Sequence, residues 1–218
     1  MGIVTPIESV TEKKTYVIKR IEPKKQPLYS FLKRFFDFVL SSLAVAVLLI
    51  PMHIVGLVIK IDSPGPAIFR QERLGKNGKP FILYKFRTMT IDAEKDGPQW
   101  AEENDSRCTK VGNFLRKTRI DELPQLVNVI KGDMSLVGPR PERRHFYEEF
   151  EEYINGFHHR LVVKPGITGL AQITGGYNLL PEEKIIYDMQ YIEKMSFKLD
   201  AYCILMTLVV VFTHEGAR

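Results

Sequence analysis

The sequence is poor in the residues that build disulfide frameworks and clustered metal sites. Its 218 residues include only two cysteines, Cys108 and Cys203, and their spacing matches no metal-ligand or redox motif. The adjacent pair His158-His159 has no carboxylate or cysteine at metal-site spacing. These absences argue against a disulfide-stapled secreted domain. They predict a reducing compartment and structural or surface histidines.

Export signals and a strong charge imbalance are also lacking. No apolar core or small-residue cleavage site follows Met1, so we expect no signal peptide. The chain has 31 Lys and Arg residues against 26 Asp and Glu residues, a net charge of +5. This modest excess suggests an anionic partner and leaves nucleotide, lipid phosphate, membrane surface and nucleic acid open.

One long apolar run is present. Phe35–Ile59 carries a single formal charge, Asp37, and its length suffices to cross a hydrocarbon layer of about 30 Å as a helix. Pro51 interrupts the run and basic residues flank both ends, whereas a crossing helix is usually more basic on its cytoplasmic side. A helix that breaks near Pro51 and returns fits both features, and a straight span is the alternative. Asp37 follows Lys33 and Arg34 by one turn, which predicts a surface ion pair.

These features divide the chain into three parts. Residues 1–30 form a polar arm, in which Thr15–Ile21 is either a strand or part of a flexible segment. Residues 31–60 contain the apolar run. Residues 61–218 combine short strands with helices and are expected to form the globular domain.

A β-hairpin is predicted near the start of the globular domain. Ala67–Gln71 and Phe81–Arg87 are typical of paired strands, and Gly75–Gly78 is typical of the connecting turn. Lys85 and Arg87 are two residues apart, so they share one face of the second strand and together suit an anion. A solvated strand edge is the alternative interpretation of this pair.

The rest of the domain alternates helices with loops. Apolar spacing predicts helices over Glu142–Tyr153 and Pro181–Met195. The acidic, turn-rich stretch Asp92–Cys108 predicts a surface loop or lid. Lys164–Leu170 is rich in glycine but lacks the spacing of a P-loop. The apolar tail Leu199–Phe212 is short for a membrane crossing, so we expect a buried or interfacial helix.

The clearest functional signal is the carboxylate pair Asp121-Glu122. Three basic residues come just before it: Arg116, Lys117 and Arg119. Proline is tolerated in the first turn of a helix, so Pro124 predicts a helix that Asp121 caps and Gly132 ends. Helix capping is therefore the structural alternative to a chemical role for this pair.

Three features favour chemistry over capping. Neighbouring cations keep a carboxylate ionised and also bind phosphate. Adjacent carboxylates suit Mg²⁺, which is usually bound by one or two carboxylates together with substrate phosphates. The rigid turn Gly138–Pro141 presents Arg140 for a bidentate phosphate contact. The residues therefore predict a phosphoryl-transfer site.

Six collinear segments resemble the bacterial sugar transferases. These are small, monotopic polyprenyl-phosphate phosphoglycosyl transferases that initiate capsule, exopolysaccharide or glycoprotein glycan assembly. The resemblance covers the chain from about residue 31 to its C-terminus. The matching segments are Lys33–Asp37, Gly65–Arg73, Tyr84–Met89, Phe114–Leu126, Gly138–Glu142 and Lys164–Leu170.

The resemblance implies transfer of a sugar-1-phosphate from a UDP-sugar to undecaprenyl phosphate, with release of UMP. It implies that Asp121 is a nucleophile, that a covalent phosphosugar forms on it, and that the kinetics are ping-pong. It also implies that Glu122 takes part in catalysis and that both carboxylates bind Mg²⁺. The substrate-binding positions that it implies are Arg116, Arg140, Lys85, Arg87 and Asp188.

The fold and location that the resemblance implies are those of a monotopic enzyme. We expect a helix-rich α+β protein with a re-entrant membrane helix broken at Pro51, where family members often have Ser-Pro. The catalytic domain, with its short hairpin and interfacial C-terminal helix, should face the cytoplasm at the bacterial inner membrane. A homodimer is compatible with the sequence, and we expect no nucleic-acid partner.

Two other functions compete with this interpretation. A single-pass membrane-anchored interaction protein, whose basic face binds anionic lipid, would not need Asp121. A nucleic-acid-binding module would use the basic stretches, but no recognised binding motif is present.

Overall fold

The computed structural model describes residues 4–7, 15–95, 97, 99 and 105–213, and it shows a helix-rich α+β protein. The helices are α1 Pro27–Asp62, α2 Lys110–Lys117, α3 Gln125–Lys131, α4 Arg144–Glu151, α5 Leu170–Thr174, α6 Pro181–Lys194 and α7 Phe197–Thr213. The strands are β1 Val4–Ile7, β2 Thr15–Ile18, β3 Ile68–Leu74, β4 Pro80–Phe86, β5 Ser135–Val137, β6 Ile154–Asn155 and β7 Gly166–Thr168.

The predicted β-hairpin is confirmed. Strands β3 and β4 pair antiparallel, with Ile68 opposite Phe86 and Leu74 opposite Pro80. The turn between them contains Asn77 at a φ of 58° and Gly78 at 73°, in the left-handed region that Gly and Asn tolerate best. The hairpin therefore follows from alternating strand residues joined by a turn of suitable chemistry.

Residues 15–18 form a strand, which decides between the two expectations for that part of the arm. Strand β2 pairs antiparallel with β1 and parallel with β6. Ile18 is 2% exposed and belongs to the main hydrophobic core. Burial of such a side chain contributes about 2 kcal/mol, so this strand is fixed by packing.

The close pairing of two short parallel strands explains why the loop Lys164–Leu170 is rich in glycine. Strand β5 pairs with β7, and Gly138 directly follows β5. A Cβ atom on Gly166 or Gly169 would overlap the backbone of Gly138. These glycines therefore allow two backbone segments to touch, and they hold the turn that carries Arg140.

The main core lies between helices α4, α6 and α7 and the strands β2 and β6. Its members are largely aromatic and aliphatic side chains from distant parts of the sequence. They include Phe146, Tyr147, Phe150, Ile154, Phe157, Ile185, Met189, Ile192 and Cys203. The helices predicted from apolar spacing over residues 142–153 and 181–195 correspond to α4 and α6, so both predictions are confirmed.

Helix α1 is a single helix of 36 residues, and Pro51 lies inside it. Its first turns bind the globular domain through polar groups: Lys33 lies 2.9 Å from Asp200, and Arg34 donates to two carbonyl groups of α3. Near its other end, Ile59 packs in a cluster with residues of the hairpin and α2. Both ends of α1 therefore contact the same domain.

The prediction of a surface ion pair at Asp37 is wrong. Asp37 is 5% exposed, and one of its carboxylate oxygens accepts a hydrogen bond from the Leu136 amide at 3.0 Å. The partner lies 99 residues away in the sequence. Lys33 pairs instead with Asp200, so the charges of this turn fasten the helix to the domain.

The middle of α1 and one side of α7 expose large apolar side chains. Within the described residues, α1 is the one helix long and apolar enough to cross a membrane, and only 6% of its most apolar window is buried. The exposed residues of α1 include Leu43, Val47, Ile50, Ile54 and Leu57. Those of α7 include Tyr202, Leu205, Leu208 and Val209. Such a surface is compatible with membrane association.

Candidate active site

Three separate segments bring the candidate catalytic side chains together. Strand β4 supplies Lys85, a 3₁₀ turn over Ile120–Glu122 supplies both carboxylates, and the turn after β5 supplies Arg140. The predicted capping role of Asp121 is wrong, because helix α3 begins only at Gln125. The predicted helix end at Gly132 is confirmed by its φ of 90°.

Arg119 explains why the carboxylates are not in the helix. Its φ of 57° places it in the left-handed region, which is uncommon for a residue with a side chain. This reversal separates α2 from the 3₁₀ turn, so Asp121 and Glu122 face the cations of β4 and of the turn after β5.

Glu122 is held by two cations. Its Oε1 accepts hydrogen bonds from Arg140 Nη2 at 2.5 Å and from Lys85 Nζ at 3.2 Å. Its Oε2 accepts a longer bond from Arg140 Nη1 at 3.4 Å. The nearest of these cations to Asp121 is Lys85 Nζ, at 3.9 Å from Oδ2. Glu122 is therefore fixed in place, whereas Asp121 is left open to the cavity.

The two carboxyl groups have opposite pKa shifts. Burial raises the pKa of Asp121 to about 6, the negative Glu122 adds to the rise, and Lys85 and Arg140 oppose it. Burial also favours protonation of Glu122, but Arg140 and Lys85 outweigh it and hold the pKa of Glu122 well below its usual value. Near neutral pH, Asp121 is thus an ionised carboxylate of raised basicity.

A cavity of about 410 Å³ opens above this pair, and Asp121 is part of its wall. Cationic side chains dominate the polar part of the wall. They are Arg73, Lys85, Arg87, Arg107, Arg116, Arg119, Arg140, Arg143, Arg160 and Lys184. The wall also contains two carboxylates that are already paired, Glu142 with Arg73 and Glu94 with Arg143. A cavity with so many cations around Asp121 is suited to a polyanionic ligand such as a diphosphate.

Arg116 and Arg87 line the cavity but have partners of their own. Arg116 donates to the Cys108 sulfur at 2.8 Å. Arg87 donates to the carbonyl groups of Ser63 and Pro64 at 2.6 and 2.5 Å. Arg87 therefore ties the end of α1 to strand β4. Lys85, two residues earlier, contacts the carboxylates instead.

Asp188 lies behind the cavity wall and is 1% exposed. Its Oδ2 is 2.6 Å from Nη2 of Arg160, which is also buried. Burial raises the pKa of Asp188 to about 6, against the opposing effect of Arg160. Arg160 also donates to the Arg140 carbonyl at 2.8 Å. Asp188 thus supports the backbone that carries Arg140.

Part of the predicted lid borders the cavity. Ala93, Glu94 and Arg107 contribute to the wall. Both Glu94 oxygens accept hydrogen bonds from Arg143, at 2.8 and 2.9 Å. Residues 96, 98 and 100–104 of that stretch lie outside the described residues. The described part fits the prediction of a surface loop or lid, and the structure adds that it borders the cavity.

The cavity residues that sequence reasoning missed include Gln125, Arg160 and Gln172. The sequence did indicate that Arg160 is buried, because it is a lone cation between Phe157 and the apolar residues that follow it. A cation in such a segment is buried only with a partner. No such indication exists for the two glutamines, because nothing in their local sequence separates them from surface residues.

Comparison with known proteins gives one family and several relatives. Residues 28–214 match the model of a family described as bacterial sugar transferase. An Aeromonas hydrophila protein named UDP-N-acetylgalactosamine-undecaprenyl-phosphate N-acetylgalactosaminephosphotransferase is 43% identical over 195 residues, which cover 88% of this chain and 46% of that protein.

Two relatives share a name that specifies glucose. Both are called UDP-glucose:undecaprenyl-phosphate glucose-1-phosphate transferase and both are 41% identical to this chain. The Escherichia coli protein matches over 191 residues, 85% of this chain and 41% of its own length. The Caulobacter vibrioides protein matches over 192 residues, 85% of this chain and 71% of its own length. The chain thus spans less than half the length of two of these three relatives.

Proposed function

Because the chain belongs to the bacterial sugar transferase family, we propose that it transfers a sugar-1-phosphate from a UDP-sugar to undecaprenyl phosphate and releases UMP. The relatives' names specify a sugar phosphate and undecaprenyl phosphate. The observation that carries the proposal is the open carboxylate of Asp121 in a cationic cavity, beside a Glu122 that is already held by Arg140 and Lys85.

In the first half-reaction, a carboxylate oxygen of Asp121 attacks the phosphorus that bears the sugar. The new Asp121–O–P bond forms as the bond from that phosphorus to the bridging oxygen breaks, and UMP leaves with the electron pair. The reacting groups are all anionic, so Lys85, Arg140 and Arg116 offset charge that would otherwise repel the attack. The raised pKa of Asp121 makes its oxygen a stronger base than an ordinary aspartate.

In the second half-reaction, a phosphate oxygen of undecaprenyl phosphate attacks the same phosphorus. The Asp121–O–P bond breaks, and the carboxylate is regenerated with no net proton transfer. One cavity then serves a soluble donor and a lipid acceptor in turn, which gives ping-pong kinetics. Glu122 holds Lys85 and Arg140 in position through both steps.

The residues present fit a Mg²⁺ ion shared with the substrate. Among the described residues, no group of three His, Cys, Asp or Glu side chains converges. Mg²⁺ is commonly bound by only one or two carboxylates plus substrate phosphates. Asp121 offers the open carboxylate, and Glu122 is its neighbour. When bound there, Mg²⁺ would neutralise charge on the diphosphate.

We further propose that α1 enters one leaflet and returns, with the catalytic domain at the cytoplasmic face of the bacterial inner membrane. Both ends of α1 contact the same domain, through Lys33 and Arg34 at one end and Ile59 at the other. A domain that stays outside the bilayer holds both ends on its own side. The exposed apolar side of α7 extends the surface that would face lipid.

The transfer is tested by intact-protein mass spectrometry of the solubilised chain, mixed with a panel of UDP-sugars and Mg²⁺ in the absence of acceptor. We expect one added sugar phosphate, its absence in Asp121→Asn, and its discharge by undecaprenyl phosphate. UMP release only when acceptor is present, without any adduct, would mean direct transfer. No adduct and no UMP would favour a membrane-anchored binding protein.

The membrane path is tested by labelling single cysteines, introduced as Lys25→Cys and Asp62→Cys, with an impermeant maleimide in intact cells. Protection of both positions until the cells are lysed supports a helix that returns. Labelling of one position in intact cells would mean a straight span instead.

A further inference from the structure

One buried side chain in the cavity wall has no partner within the described part of the chain. Gln172 on α5 is 5% exposed, and both its amide nitrogen and its amide oxygen lack a hydrogen bond. It lines the same cavity as Asp121. Buried amides are normally hydrogen-bonded, because an unpaired buried polar group destabilises the fold. An amide kept there without a partner requires an explanation.

The backbone around Gln172 leaves room for this amide. Gly169 has an extended φ of 179°, which any residue adopts, so its conformation does not require glycine. A Cβ atom on Gly169 would lie 2.8 Å from Gln172 Oε1 and would also overlap the carbonyl of Gly138. The glycine therefore gives space both to the β5–β7 contact and to the Gln172 side chain.

Gln172 reaches the cavity from other elements than Asp121 does. Asp121 and Lys85 belong to the 3₁₀ turn and β4, whereas Gln172, Gly176 and Lys184 belong to α5, α6 and the segment between them. Arg160 links these two groups of elements, because it lines the cavity, donates to the Arg140 carbonyl and pairs with Asp188 of α6. A ligand with its phosphates near Asp121 therefore has a second group of cavity residues, Gln172 among them, available to its other parts.

We propose that Gln172 binds the imide edge of the uracil base of the nucleotide donor. This inference rests on the proposed function, which supplies the UDP-sugar. An amide offers one N–H donor beside one carbonyl acceptor, and uracil presents the complement: an O4 acceptor beside an N3–H donor. Both unpaired atoms of Gln172 would be satisfied at once, so the cost of leaving them unpaired in the free protein is recovered on binding.

The experiment is a titration of the solubilised full chain with UMP and with 3-methyl-UMP, which lacks the N3–H donor. Wild-type protein should prefer UMP by about tenfold or more, the effect of one buried polar group left unpaired. In Gln172→Met, which keeps the length of the side chain, the preference should fall to within about twofold. Gln190→Met is the matched control, because Gln190 lies on α6, is only partly buried and does not line the cavity. Its preference should match that of wild type.

Thermal stability separates base recognition from a structural role. Removing an unpaired buried amide should raise the Tm of Gln172→Met by about 2–4 °C, while UMP affinity falls. A lower Tm, or a failure of the variant to fold, would mean that the amide supports the fold, and the inference would be wrong. An unchanged preference for UMP in the folded variant would also overturn it while leaving the transferase proposal intact. Wild-type protein that binds no UMP would instead refute the UDP-sugar donor.

Discussion

Asp121 and Asp200 are both buried carboxylates next to lysine, yet the protein treats them differently. Asp200 accepts hydrogen bonds from Tyr29 at 2.8 Å, Lys33 at 2.9 Å and Tyr191 at 2.7 Å, so both of its oxygens are paired. For Asp121, the nearest described cation is Lys85 at 3.9 Å. Asp200 joins α1, α6 and α7, whereas Asp121 faces a cavity.

The difference between the two regions lies in how fully the oxygens are paired. A carboxylate whose lone pairs are all used by the protein has none to offer a substrate, and breaking its contacts costs stability. A carboxylate held near cations without close hydrogen bonds keeps its charge and its lone pairs. The same residue type therefore serves assembly at Asp200 and, as we propose, chemistry at Asp121.

The largest effect is expected from Asp121→Asn. On the proposed mechanism Asp121 is the nucleophile, and an amide does not replace it, so turnover should fall by about a thousandfold or more. Because Asp121 makes no close contact that the amide would lose, the Tm should not fall. Radiolabelled transfer to undecaprenyl phosphate and a thermal melt check both statements. Retained turnover would remove the distinction between the two carboxylates.

The next largest effect is expected from Asp200→Asn. This change leaves the buried charge of Lys33 uncompensated and should lower the free energy of unfolding by about 2–3 kcal/mol. Turnover per folded molecule should stay near the wild-type value. A thermal melt and an active-site titration with the donor separate the two quantities. A large loss of turnover at unchanged stability would show that Asp200 belongs to the site.

The pH dependence should also distinguish the two carboxylates. On the proposed mechanism Asp121 must be ionised to attack, so turnover should fall about tenfold per pH unit below its pKa of about 6. Native Asp121 binds a proton more tightly than the unfolded chain, whose ordinary pKa is 3.8. Its contribution to stability therefore decreases as the pH rises from about 4 to about 6 and is constant above that range.

The control for this prediction is the Tm of Asp121→Asn measured across the same pH range. The Tm of the variant should equal that of wild type near pH 4. The difference in Tm should grow in favour of the variant up to about pH 6 and stay constant above it. Parallel curves for the two proteins would mean that the pKa of Asp121 is not raised by burial.

The smallest effect is expected from Arg140→Lys. Lysine keeps the charge but loses the two-pronged contact with Glu122, so kcat/KM should fall by about tenfold. The Tm should change little, because Lys85 still pairs with Glu122. Arg20→Lys is the matched control, since Arg20 pairs with Glu22 in an exposed position. It should change neither quantity.

Local patterns predicted the elements whose signals lie within a few residues. The hairpin was predicted from two strand-like segments on either side of the turn that contains Asn77 and Gly78. Helix α6 was predicted from Pro181 at its start and a regular apolar spacing. Both inferences depend on neighbours in the sequence, which is why they succeeded. The inference that Asp121 reacts also rests on its neighbours, the cations and prolines around it, and it stays a prediction.

The failures share a different cause. The partner of Asp37 lies 99 residues away, and the contact of Arg160 with the Arg140 carbonyl spans 20 residues. The position of Asp121 outside the helix depends on the left-handed conformation of Arg119, and arginine carries no local signal for that conformation. Contacts between distant parts of the chain determine these conformations and partners, and local sequence patterns do not reveal such contacts.

Lys85 in β4 and Arg87 just after it have a geometric consequence. Lys85 contacts the carboxylates, and Arg87 holds the residues just after α1. About 7 Å of extended backbone therefore separates the residue that contacts the carboxylates from the residue that binds the end of the helix. On the proposed path, this short segment fixes the distance between Asp121 and the surface of a single leaflet. Bilayer thickness then has no bearing on that distance, whereas an enzyme positioned by a full crossing would be subject to hydrophobic mismatch.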